Sequence, residues 1–270
     1  MKNLNVLRPQ YRVEECIHEI HKSLSLGWTG NGPKCQEFEE KWSQYTKLPH
    51  SHFVSSATAG LHLAVKILKE HYEWQDGDEI ITTPITFVST NHVILYEKLI
   101  PVFADVHKDD ICLDPESVKL LITNKTRAIM YVCLGGRVGH LNEIIDICKQ
   151  HNLKLILDLA HAAGTYVGDN HIGHQGDVSV FSFQSVKNLP TSDSGMVCFR
   201  EKELDIRARA LSWLGIDAST YKRTLSNGTY KFKYNVLQLG YKYNGNDITA
   251  CIGLVQLGYL DEDNARRRFL

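Results

Sequence analysis

Strand-length hydrophobic runs alternate with helix-length amphipathic stretches along the middle of this chain. The strand-like runs are His52 to Ser55, Glu79 to Thr83, Val102 to Asp105, Ala128 to Leu134, Leu153 to Asp158 and Val178 to Phe183. Between them lie Ser55 to Leu68 (SSATAGLHLAVKIL), a stretch from about Phe87 to Tyr96, and Leu141 to Gln150, all with helical spacing of apolar residues. Strands separated by helical crossovers pair in parallel, and the crossovers cover both faces of the sheet. The expectation is an α/β fold with a mostly parallel sheet covered by helices.

The flanks are helical. Val13, Cys16, Ile17 and Ile20 fall at i, i+3, i+4 and i+7 of a first helix ending near Leu26-Gly27. A turn-rich loop, Gly27 to Pro33 (GWTGNGP), carries an exposed tryptophan and leads into a second helix, roughly Lys34 to Tyr45. A last helix is expected from about Asp247 to Asn264, and its pattern reaches RRRFL with no capping or stop signal. On this pattern alone the chain is expected to be a fragment.

With 270 residues and 43% hydrophobic content, the chain can bury a large core without staples. Its 30 Lys and Arg balance 31 Asp and Glu, so neither nucleic acid nor an anionic membrane is indicated as a partner. Seven scattered cysteines lack a CxxC pair and read as buried reduced thiols, not disulfides or a zinc site. The N-terminus has no apolar signal region and no run reaches membrane-span length, so the cytoplasm is the expected compartment.

The chemistry concentrates in Lys154 to Gly195. Asp158 ends one hydrophobic strand, and a second strand runs into Ser182 and on to Lys187. A carboxylate at a buried strand end is costly unless it meets a cation, though a helix cap or a buried ion pair would serve as well. A lysine beside such a strand can lose its charge by desolvation and form an imine with an aldehyde, although most lysines are solvated surface residues. His161 reads equally as a helix-start residue or as a ligand to a cofactor oxygen. The small-residue turn Ser55-Ser56-Ala57-Thr58-Ala59 opens a helix whose free amides favour an anion, and it also fits an ordinary Ser/Thr cap. Phe87 follows a strand end, where an aromatic side chain can stack on a planar ligand or join the core. Phosphate turn, aromatic, terminal Asp and terminal Lys occur in that order on successive β-α units.

The segments GWTGNGPKCQEFEEKW, VSSATAGLHLAVKIL, TPITFVSTNHVILYEKLIPVFADV, LDLAHAAGTYVGDNHIGHQGDVSVFSFQSVKN and GYKYNGNDITACIGLVQL are collinear along nearly the whole chain. In them the chain resembles the DegT/DnrJ/StrS family of nucleotide-sugar aminotransferases, which have the aspartate-aminotransferase fold (fold type I) and use pyridoxal 5′-phosphate (PLP). The resemblance implies that Lys187 anchors PLP covalently and shuttles the proton, while Asp158 pairs with the pyridine nitrogen. It puts Phe87 over the ring and His161 near the 3-hydroxyl, with the amides of Ala57 and Thr58 and the Ser182 hydroxyl on the phosphate. It further implies a homodimer whose GYKYNGND loop reaches the neighbouring cofactor, with Asn244 as the phosphate contact and Lys242 second to it. Trp28 and Thr29 would then lie near the sugar.

The implied reaction moves an amino group from an amino acid, glutamate by expectation, to a keto-sugar nucleotide, giving an amino sugar. A dehydratase branch of the family carries histidine at the lysine position, so Lys187 favours transamination. Three departures bear on the choice of sugar: Thr191 to Gly195 (TSDSG) where T-G-E-G-G is usual, Cys133 in place of a common histidine, and Gln184 in place of another. The family continues past RRR into a small C-terminal domain, so the resemblance implies a PLP-binding large domain over 1–246, with 247–270 starting the helix toward a C-terminal domain that is largely absent. A large domain that binds PLP or a partner subunit without turnover is therefore the alternative. A desulfurase or decarboxylase of the same fold is a weaker one, opposed by the Gly27 to Pro33 loop.

Overall fold

The computed structural model describes residues 9–217, 220–225 and 234–269. Helices α1 (Val13–Ser25) and α2 (Pro33–Thr46) precede strand β1 (His50–Val54), and α3 (Ala57–His71) follows it. The chain then alternates β2 (Glu79–Thr82), α4 (Ser89–Tyr96), β3 (Ile100–Phe103), α5 (Pro115–Leu121), β4 (Thr126–Val132), α6 (Leu141–His151) and β5 (Lys154–Asp158). A small hairpin, β6 (Tyr166–Val167) and β7 (Asn170–His171), leads to β8 (Val178–Ser182), β9 (Gly195–Phe199) and α7 (Lys202–Ser212). Short α8 (Thr220–Leu225) and then α9 (Asp247–Leu257) and α10 (Leu260–Phe269) complete the described chain. None of these helices is long and apolar enough to cross a membrane.

The large sheet has seven strands in the order β1-β9-β8-β5-β4-β2-β3. β9 runs antiparallel to both neighbours and the other pairings are parallel. Six strands therefore point the same way, and their carboxyl ends share one edge. That edge collects the ends of β1, β2, β4, β5 and β8 together with the beginning of β9.

Period-2 alternation along the strands separates two cores. Ile81, Ile129, Tyr131, Leu155, Leu157 and Phe181 face one side, where α2, α6 and α10 supply Phe38, Trp42, Ile144 and Leu260. Ile80, Ala128, Met130, Ile156 and Val180 face the other, covered by Leu61, Leu63 and Ile67 of α3 and by Leu204 and Leu211 of α7. Both faces are dry, which is why the central strands read as continuous apolar runs. All seven cysteines are buried and free, as expected.

The mostly parallel α/β architecture matches the sequence expectation, with the antiparallel strand β9 added and three further differences. The expected helix from Asp247 to Asn264 is two helices, broken at Gly258-Tyr259. The break buries Leu260 and brings Asp261 within 2.6 Å of the Tyr45 hydroxyl, contacts a straight helix would swing away. Phe87 precedes its helix, which starts at Ser89, instead of opening it. Trp28 is half-buried against Tyr221, with ring centroids 5.0 Å apart, and is not exposed.

The loop carrying Trp28 is pinned by one carboxylate. Asp247, fully buried at the start of α9, accepts the amides of Gly32 (2.9 Å), Lys34 (3.2 Å) and Cys35 (3.0 Å), capping α2 from a distant part of the chain. Its own amide donates to the carbonyls of Thr29 and Gly30. Gly32 is required here, because a Cβ would lie 1.9 Å from the Trp28 ring and 2.7 Å from the Asp247 carboxylate. Asp247→Asn keeps the shape but turns an N–H toward one of the three donors. It is expected to cost about 1–3 kcal/mol, read as a lower midpoint in urea unfolding; an unchanged midpoint would show that the trans cap adds nothing.

Candidate active site

At the carboxyl edge of the sheet a cavity of about 520 Å³ is lined by Ala57, Thr58, Phe87, Asp158, His161, Ser182 and Lys187, among others. Seven residues singled out in the sequence thus converge on one space. Topology does the converging: β5 ends at Asp158, the adjacent β8 ends at Ser182, and α3 starts where β1 stops.

The anion seat is built by α3 and β9. Ser56 caps the helix by accepting the Ala59 amide at 3.1 Å. The first-turn amides of Ala57 and Thr58 have no carbonyl to pair with inside their own helix. They open into the cavity at the positive end of the helix dipole. Gly195 starts β9 directly behind them, and a Cβ there would sit 2.7 Å from the Ala57 nitrogen and 2.8 Å from the Phe181 carbonyl oxygen. Only glycine lets the strand approach this closely.

Asp158 is 4% exposed. Thr90 Oγ1 donates to its Oδ2 at 2.7 Å and the Ala160 amide to its Oδ1 at 3.1 Å. Thr90 in turn shares a 2.8 Å hydrogen bond with Thr86. Burial drives the carboxyl upward from the ordinary carboxylate range; the two hydrogen bonds and the nearby His161 and Lys187 oppose it. Lys187 shows the complementary effect: burial lowers its ammonium from the usual lysine value, against the pull of Asp158. His161 is lowered by partial enclosure and by Lys187, and its Nδ1 accepts the Gly135 amide at 3.2 Å.

The Lys187 loop is closed at its base. Thr191 donates both its amide and its hydroxyl to the Phe183 carbonyl, and its hydroxyl also pairs with Ser194 at 2.7 Å. At the tip, the Lys187 amide donates to the Gln184 carbonyl. Of the departures from the family pattern, Cys133 and Gln184 line the cavity, as does Asp193 from the segment Thr191 to Gly195. A pocket with free helix amides, a buried carboxylate and an amine lowered from the usual lysine value can hold an anion, stabilise a cation and attack a carbonyl.

Thr90, Ala160 and Gly195 belong to this site and were not singled out in the sequence. Thr86 and Thr90, four apart at a helix start, were a readable signal for a hydroxyl pair on one face. The Ala160 amide and the close approach at Gly195 left none.

Other expected residues lie elsewhere. Asn244 accepts from Lys242 Nζ at 2.9 Å and donates to the Gly245 carbonyl, facing a second cleft with Arg209 and Trp213. Trp28 and Thr29 line a third, shallow depression with Trp213 and Thr220. Within this chain none of the three reaches the cavity around Lys187.

The family model described as the DegT/DnrJ/EryC1/StrS aminotransferase family matches residues 10–270. The chain belongs to that family. It is similar to the Bacillus subtilis (strain 168) spore coat polysaccharide biosynthesis protein SpsC, 36% identical over 254 residues that cover 94% of this chain and 64% of SpsC. It therefore spans less than two thirds of that relative's length. Among solved structures, the PMP form of the putative sugar aminotransferase Spr1654 from Streptococcus pneumoniae superposes with a TM-score of 0.89 at 28% identity, covering 98% of this chain and 70% of Spr1654. The structure of DesI in the presence of its TDP-sugar product gives a TM-score of 0.81 at 29% identity, covering 98% and 63%. The fold is thus that of the sugar aminotransferases, in line with the aspartate-aminotransferase-like expectation.

Because burial raises the folded-state pKa of Asp158 above its unfolded value, ionising it costs stability. That cost is absent below the ordinary carboxylate value of about 4 and grows as the pH rises through the folded-state pKa. In the ligand-free protein Asp158→Asn is expected to melt above the wild type at pH 7, and the difference should close toward pH 4. Equal or lower melting at pH 7 would contradict an uncompensated carboxylate.

Proposed function

We propose that the chain carries out PLP-dependent transamination, moving an amino group from an amino acid to a keto-sugar nucleotide to give an amino sugar. The observation that carries this reading is the convergence of Lys187, Asp158 and the α3 amides on one cavity in a member of this family. Glutamate is the donor we expect. The sugar nucleotide is suggested by the TDP-sugar product of DesI, and sugar chemistry more broadly by the polysaccharide role in the name of SpsC.

The residues fit the cofactor. The Gly195 opening leaves room for an anion at the Ala57 and Thr58 amides, where Ser182 adds a hydroxyl. Burial still raises Asp158 despite its hydrogen bonds and the nearby Lys187 and His161, and a protonated ring nitrogen in contact with it would offset that cost. When bound, PLP supplies an aldehyde that captures amines and a ring that withdraws electrons from the adjacent carbon. Asp158, oriented by Thr90 and Ala160, holds the ring-nitrogen proton. Lys187 anchors the cofactor, then moves a proton to and from the substrate carbon, a task suited to an amine lowered from its usual value. His161, held by Gly135, would sit near the ring oxygen, and Phe87 at the cavity wall would cover the ring face.

The functional unit we propose is a homodimer. Phe87 is 72% exposed and Ile85 and Val88 beside it are open, leaving an apolar cavity mouth for a second subunit to cover. Asn244, which turns away from its own cavity, would serve the neighbour's phosphate with Lys242 beside it. Trp28 and Thr29 would border the sugar.

Borohydride reduction of PLP-treated protein is expected to leave the cofactor on the Lys187 peptide, read by mass spectrometry. A reduced adduct that survives Lys187→Ala would overturn the assignment. Amino transfer by that variant is expected to fall by about 10²–10⁴-fold or more. Adding glutamate should shift the cofactor absorbance from the visible to the near ultraviolet; an unmoved band would remove glutamate as donor.

A further inference from the structure

Away from the Lys187 cavity, the loop after β3 and the loop before α6 are drawn tightly together. The first is closed by Val106 pairing with Leu113 and by the His107 amide donating to the Cys112 carbonyl. Its Ile111 sits at φ 61, a conformation a β-branched residue adopts only under constraint. The second loop passes Gly139, where a Cβ would lie 2.6 Å from the Cys112 Cβ, so only glycine permits the approach. Arg137 bonds the Asp109 carbonyl across the gap at 3.1 Å.

This packing puts three metal-ligand side chains face to face. One donor atom from each of His107, Asp110 and His140 lies within 4.8 Å of the other two. His140 Nε2 is 3.7 Å from Asp110 Oδ2, and the two imidazole centroids are 4.6 Å apart. We propose that His107, Asp110 and His140 bind one divalent transition-metal cation of the Zn²⁺ class. Ligands at tetrahedral zinc lie about 3.3 Å from one another, so side-chain rotations of about an ångström would close the set. Two imidazoles with one carboxylate suit Zn²⁺ and its neighbours, whereas Mg²⁺ and Ca²⁺ prefer oxygen donors alone.

The surrounding groups are placed as outer partners of such a site. His140 Nδ1 is 2.8 Å from Glu143 Oε1, which leaves Nε2 for the metal. Asp110 accepts the Cys112 amide on Oδ1 at 2.9 Å, which leaves Oδ2. His107 Nδ1 accepts the Asp109 amide at 3.4 Å, so coordination through Nε2 requires the other tautomer, with the Nδ1 proton turned toward the Asp109 carboxylate 3.8 Å away. Carboxylate partners of this kind orient ligating histidines and raise their affinity. Three protein ligands leave a fourth position for water. The ion would rivet the β3–α5 loop to the loop that also carries Gly135, the partner of His161.

Chelator-stripped protein titrated with Zn²⁺ by calorimetry is expected to show one saturable site per chain and a higher melting temperature. Co²⁺ in its place should give visible bands of a four-coordinate ion with no thiolate charge-transfer band. His107→Ala and His140→Ala should each abolish the site, and Glu143→Gln should weaken it about 10–100-fold. Asp110→Asn, a one-atom change, gives the same readout if a histidine variant misfolds. Absence of saturable binding, a thiolate band, or an isotherm unchanged in these variants would each overturn the proposal.

Discussion

The site is organised around a carboxylate removed from water that makes no contact ion pair among the described residues, with Lys187 and His161 acting on it only from across the cavity. Asp158 receives only a hydroxyl and an amide hydrogen bond at the end of a central strand, and neither neutralises it. An ionised group so placed works against folding, and it persists because β4, β5 and β8 are locked on both faces by dry cores. The same enclosure lowers the Lys187 ammonium. One physical cause thus displaces an acid and a base in opposite directions within one cavity, a common mark of functional sites.

How much of this was legible in the sequence depends on the range of the interaction. The strands and crossover helices were readable because parallel strands buried on both faces leave apolar runs, and Asp158, Ser182 and Lys187 stood at the ends of such runs. Strand β9 is an apolar run of the same kind, GMVCF, and was not singled out in the sequence. The break at Gly258 was hidden because an isolated glycine is tolerated inside a helix, and only the burial of Leu260 selects the bend. The hydroxyl pair of Thr86 and Thr90 had a local signal in its four-residue spacing. The narrow space behind Gly195 had none, since it arises from three segments distant in sequence.

The antiparallel strand also explains how one edge holds so many groups. A purely parallel sheet would carry the chain from Ser182 through a crossover before it returned. Instead β9 pairs beside β8 at once, so the loop 183–194 with Lys187 stays at the edge and Gly195 meets the start of α3. The lysine and the back wall of the anion seat therefore belong to a single hairpin.

Asp247 ties the loop of Thr29 and Gly30, the start of α2 and the segment that follows Asn244 into one unit. Displacing that segment drags the loop with it. Two molecules that each displaced this unit, one at Trp28 and one at Asn244, would act on the same hydrogen bonds, and the first would change the affinity for the second by the same factor that the second changed the affinity for the first.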